Sequence, residues 1–573
     1  MNIMRIDKIA ISLLVSLVVV SCDFLDFDET NGLKTKEDMY KYFDTSKQML
    51  THVYSYIPQT TLFAGSASVS SAALRDCASD DGEFGNVSSD VQSVNNGNWS
   101  ATKLYDDAWN LYAGIRATNS FIAEIANVDF SRYEHNGSYT NWIKQLKYFP
   151  YEARVLRAYF FFELARRYGD IAMPLAVLTT DEANNVAKTP FADVIDFIVS
   201  ECDAAAEILP LDYKSEPGAE IGRVTKGFAM AVKSKALLYA ASSLHNINGD
   251  TDLWKKSAKA ALDIIALDVY ALDPDGCIND LESSESVMMR SNTNSSVFEQ
   301  YNFPLRFTEG NRTSGSIDWT NFPSQNLVDA FETVNGYKVT LEDNGWHCED
   351  PNFDPQRPYD NRDKRFARTI LANGMTFKGE KIETFEGGKD DAIVSQGGTP
   401  TGYFLRKYVQ ETTNFTPGKL VSEKHHWCLY RYAETLLTYA ESMVNAFGDA
   451  NYQDDTYTKS ALWAINQVRA NADMPAVTET SKEAFMERLY NEWRVEFAFE
   501  DHRFWDVRRW KIGNETQRQL NGVKIRKNAA GELNFYKNQF ETRVWKDCMY
   551  LYPIPQSELF KNTNLYPQNA GWN

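Results

Sequence analysis

The segment Glu487-Arg-Leu-Tyr-Asn-Glu-Trp-Arg-Val-Glu-Phe-Ala-Phe-Glu-Asp-His-Arg-Phe-Trp-Asp-Val-Arg-Arg-Trp510 restricts the fold more than any other stretch of the chain. Leu489, Trp493 and Phe497 recur at i+4, which puts them on one face of a helix. Arg488 and Glu492 share that spacing, and so do Glu492, Glu496 and Glu500. Charges interleaved this tightly with Trp and Phe are partly buried, and buried charges must be paired. A catalytic reading would make them a site of perturbed acids and bases. The preferred reading is an ion-pair network that fixes how the last helices meet the body.

Elsewhere the apolar period is helical and comes in pairs. Leu104 to Val128 is predicted as a helix from Trp109, Tyr112, Ile115, Ala117, Phe121 and Ile125. Glu152 to Tyr168 is another, with Val155, Tyr159 and Phe162 in a stripe and Gly169 as a stop signal. Thr225 to His245 and Asp252 to Leu267 pair across Asn248-Gly249-Asp250, and Tyr430 to Phe447 pairs with Tyr457 to Ala472 across Gly448. Ala240, Ala258 and Ala261 set small residues against large ones, as in a tetratricopeptide unit of about 34 residues.

Between about Cys277 and Glu423 the texture changes. Gly, Asn, Asp, Ser and Thr accumulate, as in Arg312-Thr-Ser-Gly-Ser and Gln396-Gly-Gly-Thr-Pro-Thr-Gly. Apolar runs shorten to strand size at Phe366 to Leu371 and Tyr403 to Tyr408. Tyr301, Phe303, Trp319 and Trp346 lie in this region, and rings are scarce in disordered tracts, so ordered loops are expected. Loops carried on a rigid helical scaffold are where a ligand site is built. The expected fold is mainly α: tetratricopeptide-like helix pairs forming one body, with a long irregular, loop-rich region containing short strands.

Length alone, at about 150 residues per domain, suggests three or four domain-sized units or one continuous helical body. The 59 Lys and Arg against 78 Asp and Glu leave a net charge of −19, which excludes a nucleic-acid binder because phosphate contacts need a basic surface. Aromatic residues make up 13%, enough for a core and for rings in polar loops.

The start of the chain carries Arg5 and Lys8, then an apolar run from Ile9 to Val20. That run is shorter than the ~20 residues a spanning helix needs and fits a secretory leader. It ends in Val19-Val20-Ser21-Cys22, a lipobox pattern in which the Cys22 thiol is acylated and the chain is cut before it. The alternative is an ordinary leader with an incidental cysteine. Two or three acyl chains make a stable anchor.

Six cysteines remain: Cys77, Cys202, Cys277, Cys348, Cys428 and Cys548. Export permits disulfides, but no C-x-x-C occurs and the spacing is irregular, so this is not a disulfide scaffold. Cys202 and Cys428 sit in helical patterns, where buried thiols are common.

Candidate chemistry is thin. No G-x-S-x-G, H-E-x-x-H or P-loop appears, and no local pattern marks a glycosidase acid with its partner. His425-His426 with Cys428, placed on a helix, would point about 100° apart and lack a fourth metal ligand. Asp80-Asp81-Gly82-Glu83 and Asp273-Pro274-Asp275-Gly276 are read as solvated acidic turns without EF-hand spacing. No cofactor is expected, with a structural calcium ion as the only alternative.

Asn491-Glu-Trp-Arg-Val-Glu-Phe-Ala-Phe-Glu-Asp-His-Arg-Phe-Trp-Asp-Val-Arg-Arg-Trp510 resembles the signature of the SusD/RagB family of surface nutrient-binding lipoproteins. Further blocks agree in order: Glu152-Ala-Arg-Val-Leu-Arg-Ala-Tyr159, Gly222-Arg-Val-Thr-Lys-Gly227, Arg431-Tyr-Ala-Glu-Thr-Leu-Leu-Thr-Tyr-Ala-Glu441, Ile465-Asn-Gln-Val-Arg469 and Tyr552-Pro-Ile-Pro-Gln556. The terminal Pro567-Gln-Asn-Ala-Gly-Trp572 departs slightly, with Ala570 where the family often has Pro. The resemblance implies a signal peptide over 1–21, an N-terminal SusD-like helical region over 22–270, and a C-terminal RagB/SusD region over 271–573. Within the last, 277–423 is irregular and 425–510 helical.

It also implies a lipid-anchored outer-membrane protein exposed at the cell surface, not an enzyme. Its role would be to capture an oligosaccharide and pass it to a SusC-like TonB-dependent transporter, over whose barrel it acts as a hinged lid. Asp23, Asp26, Asp28 and Glu29 are similar to the export tag of such lipoproteins. A lipid-anchored glycoside hydrolase and a peptide-binding member of the same uptake family are the alternatives. Sugar faces stack on rings, so Trp99, in Asn95-Asn-Gly-Asn-Trp-Ser, is the first candidate for glycan contact, followed by Tyr301, Trp319 and Trp346. Arg75, Asp81, Asn98 and Asn302 are the candidate polar partners.

Overall fold

The computed structural model of the chain describes residues 36–58, 73–214, 216, 220–310, 319–391 and 398–572. The leader, Cys22, the acidic residues after it and Arg312-Thr-Ser-Gly-Ser lie outside them.

Helices Phe43–Tyr54, Leu111–Ile125, Tyr139–Tyr168, Phe191–Ala206, Lys226–Ala241 and Thr251–Ile265 pack each on the next. The series then skips the irregular region and resumes with Tyr432–Phe447, which packs on Thr251–Ile265, on Ala461–Asn471 and on Lys482–Glu496. This is a stack of helix pairs of the tetratricopeptide kind. Ala258, Ala261 and Ala440 are fully buried where helices from the two halves meet, and Ser442 Oγ lies 2.8 Å from Ser257 Oγ across that contact. Side chains that small let the backbones approach closely. Local signals set the ends: Thr225 Oγ1 accepts from Phe228 N, Ser460 Oγ accepts from Trp463 N, and Gly448 at φ +78° closes Tyr432–Phe447.

Four expectations are corrected. The helix expected from Leu104 begins at Leu111, because Asp106 is drawn into a buried pair with Arg75 and Arg167, and Asp106 and Ala108 take positive φ. Glu152 to Tyr168 is the more buried half of a longer helix from Tyr139, which runs through Pro150 and packs Trp142, Leu146 and Phe149 against the core in its first half. Glu423–Arg431 is a β-strand, antiparallel to Ser286–Ser295, so His425, His426 and Cys428 lie on a sheet and not on a helix. Phe366 to Leu371 is mostly a short helix, Lys364–Thr369, followed by a two-residue strand. A hairpin of Gln519–Lys527 with Leu533–Thr542 carried no sequence signal strong enough to be read.

The irregular region is ordered by short antiparallel ladders, Gly82–Phe84 with Asn321–Pro323, Val339–Glu342 with Gly345–Cys348, and Ile370–Leu371 with Phe404–Leu405. Phe303, Phe322, Leu371, Phe377, Ile382, Phe404 and Phe415 give it a small core of its own.

The segment Glu487 to Trp510 is the electrostatic joint of the molecule. Arg431, where the strand turns into helix Tyr432–Phe447, donates to Glu285 and Glu496 at 2.6 Å each and to Glu500 at 2.8 Å. Arg365 reaches Glu496 at 2.7 Å, and Arg509 grips Glu441 at 2.6 and 2.9 Å. Arg494 and Arg503 hold Asp80. Burial works against the charge of Glu496, but Arg431 and Arg365 outweigh it and hold its carboxyl well below the usual range. The pairing is therefore a structural network, since its ties join the segment to Asp80, Arg365, Arg431 and Glu441 from four other parts of the chain.

Candidate functional site

Two of the expected rings come together. Tyr301 ends the helix Val297–Asn302, and Trp319 precedes the strand Asn321–Pro323. Both are half-buried, with centroids 6.3 Å apart and planes at 54°. Behind them Phe84, fully buried, meets Trp319 edge-on at 6.4 Å.

The residues next to the rings fix that angle. Thr320 Oγ1 donates to Tyr301 O at 2.6 Å. Asn302 Oδ1 accepts from Asn321 N and Nδ2, both at 3.1 Å, while Asn302 Nδ2 donates to Phe298 O at 2.9 Å. Asn321 Oδ1 in turn accepts from Leu74 N at 2.8 Å. Phe303 and Phe322, one step further along each segment, drop into the small core. Two chain segments are thus locked side by side with one ring of each left half-buried. Gly85 N donates to Thr320 O at 3.0 Å, and the loop that follows carries Val87, 82% exposed.

The other candidates take different places. Trp99 is corrected from an exposed ring to a core one: it is 3% exposed, edge-on to Tyr552 at 4.8 Å and 4.9 Å from Trp572. Asn96 and Asn98 stay exposed, while Asn95 and the ring turn inward, the ring under the C-terminal segment. Arg75 is buried in a bidentate pair with Asp106 at 2.8 and 3.0 Å and a second pair with Asp501. Asp81 is fully buried and accepts from Arg494 Nε at 2.7 Å. Burial pushes its carboxyl up, with Arg494 offsetting only part and the charge of Asp80 adding to the rise. Asn302 is fully buried and acts on the rings by positioning them. Trp346 is half-buried on a separate hairpin, edge-on to Tyr359 at 5.8 Å and Phe535 at 5.9 Å.

The acidic turn Asp80 to Glu83 is buried, not solvated. Asp80 is forked by Arg503 at 2.8 and 2.9 Å, and Glu83 accepts from Arg543 at 2.6 Å. Among the described residues no group of three or more His, Cys, Asp or Glu is set out to hold a metal ion. No described helix is long and apolar enough to cross a membrane. Phe84, Thr320 and Asn321 escaped sequence reasoning. Their only signal is position, Phe84 after an acidic turn and the other two directly after Trp319.

Residues 284–572 match the SusD family, and residues 23–238 match a family described as starch-binding associating with outer membrane. SusD-like protein P2 of Formosa agariphila is 24% identical over 437 residues, which cover 74% of this chain and 73% of that protein. Among solved structures, a SusD-like protein of Bacteroides fragilis is similar at a TM-score of 0.74 and 24% identity, over 94% of this chain and 98% of its own. A SusD-like carbohydrate-binding protein of the same species gives 0.71 and 24%, over 92% and 100%. A laminarin-binding SusD-like protein gives 0.57 and 19%, over 92% and 99%. These structural likenesses are of fold. The SusD match alone spans just over half of the sequence, and the chain belongs to the SusD/RagB family.

Proposed function

We propose that this chain is a lipid-anchored, cell-surface glycan-binding protein that captures oligosaccharides on Tyr301 and Trp319. It hands them intact to a SusC-like TonB-dependent transporter. The observation that carries the reading is the pair of half-buried rings held at a fixed angle by Asn302, Thr320 and Asn321. Sugar C–H faces stack on aromatic faces, and a pre-set ring pair binds without first being ordered. Relatives named as carbohydrate-binding and laminarin-binding, and a family described as starch-binding, support glycan as the ligand class. Asp80, Asp81 and Glu83, the acids nearest in sequence to Phe84, are engaged by arginines, which argues against their use as a hydrolytic pair.

The test is calorimetric titration of the purified chain with plant, microbial and host polysaccharides, followed by chromatography of the glycan. Saturable binding, with glycan recovered unchanged, is expected. Release of new reducing ends would overturn the non-catalytic reading. Failure to co-purify with any outer-membrane barrel would overturn the transport half.

A further inference from the structure

Cys277 lies in the loop between helix Thr251–Ile265 and strand Ser286–Ser295, and Cys428 lies on strand Glu423–Arg431. The structure holds both as thiols, close enough to interact. The backbone is bent to bring them there. Gly276, Cys277 and Asn279 take φ of +71°, +49° and +60°, a left-handed course that residues with a Cβ adopt at a cost. That course aims Asn279 at the strand, where its Oδ1 accepts from His426 N at 3.1 Å. The loop therefore lies along the strand, with 279 beside 426 and 277 beside 428. On its other side Cys428 is in register with Met289, and its Sγ lies 3.9 Å from Met288 O.

The two thiols differ in access. Cys277 is buried, and Cys428 is half-buried. The more accessible Cys428 thiol therefore makes the first attack on an oxidant. Cys77, by contrast, sits against Asn321 Oδ1 at 3.3 Å, and Cys202 is enclosed within helix Phe191–Ala206.

We propose that Cys277 and Cys428 are a disulfide site, closed by exchange with a small-molecule disulfide or the disulfide of a thiol oxidase. The Cys428 thiolate attacks one sulfur of the oxidant and releases the other as a thiolate. The Cys277 thiol gives up its proton and displaces the oxidant's remaining half. Two protein thiols become one disulfide, and the oxidant's disulfide becomes two thiols. The bond would pin the loop that carries Asp275, Gly276, Ile278 and Asn279, which line a cleft of about 280 Å³ together with Tyr408 and Arg431.

The mature chain, folded and fully reduced, is incubated with oxidised glutathione, alkylated, digested without reduction and mapped by mass spectrometry. A peptide pair joined through Cys277 and Cys428 is expected, with two fewer alkylated thiols than in the reduced control. In Cys277→Ser, Cys428 should stop at the glutathione adduct. Recovery of both cysteines as alkylated thiols from the wild type overturns the inference. So does a stable adduct on Cys428 beside alkylated Cys277, or a link from either to another cysteine. Glycan binding plays no part in this readout, so its failure and that of the proposed function are separable.

Discussion

Asn302 accepts two hydrogen bonds from Asn321, one from the backbone N–H and one from the side-chain amide, both at 3.1 Å. This one contact ties the helix that presents Tyr301 to the strand that follows Trp319. Replacing Asn302 by Ala removes both hydrogen bonds from a buried contact, at a cost of about 1–3 kcal/mol. Asn302→Ala is expected to lower stability by that order in a denaturant titration. It is also expected to weaken glycan binding although the residue is fully buried.

Trp319 and Trp99 should behave oppositely. Trp319→Ala, at a half-buried ring, is expected to lower stability less than Trp99→Ala and to reduce glycan affinity about tenfold, the equivalent of ~1.4 kcal/mol. Trp99→Ala empties a site between Tyr552 and Trp572 and should cost about 3–5 kcal/mol of stability. Binding by the folded fraction should persist. Calorimetry and thermal denaturation of the two variants side by side check the pair of outcomes.

Arg431 serves three buried carboxylates at once. Its removal leaves Glu285, Glu496 and Glu500 without their main counter-charge, and breaking a buried pair in this way costs about 3–5 kcal/mol. Arg431→Ala is expected to lose at least that in urea unfolding. Arg431→Lys should recover only part, because an ammonium cannot fork three acids.

Acid sensitivity follows from the same network. Burial disfavours the Asp106 carboxylate, but Arg75 and Arg167 outweigh it and bring it from 3.8 down to about 2. A carboxyl depressed on folding adds stability that is present above its unfolded value and lost as pH falls from about 4 through about 2. Asp329 has the opposite sign: burial raises it from 3.8 to about 6, so its share of stability is lost as pH rises through that window. Asp106→Asn keeps a residue suited to φ +57° and should flatten the stability curve below pH about 4, while Asp329→Asn should flatten it between about 4 and 6. Unfolding free energies measured across pH for both variants check the two slopes.

The helical body was legible because paired amphipathic helices leave a period in the sequence. The charged joint was legible because Glu496 and Arg494 sit among Trp493 and Phe497, where only paired charges can be buried. The strand Glu423–Arg431 was not, since its mixture of His, Trp, Leu and Tyr runs into a true helix with no breaker at Arg431. Trp99 misled because its polar neighbours describe the backbone's exposure, not the direction of the ring. Tyr301 and Trp319 share that polar setting and do come together, but what joins them is Asn302 and Asn321, a contact between segments that no local pattern encodes.

A fixed Tyr301–Trp319 pair is proposed to bind glycan without turning it over. Isothermal titration of the wild type and of the double variant Tyr301→Ala/Trp319→Ala, against the same polysaccharide panel, tests it most directly. Saturable binding of at least one glycan by the wild type, abolished in a double variant that still unfolds cooperatively, is the predicted result. Equal affinity in the two proteins would contradict it.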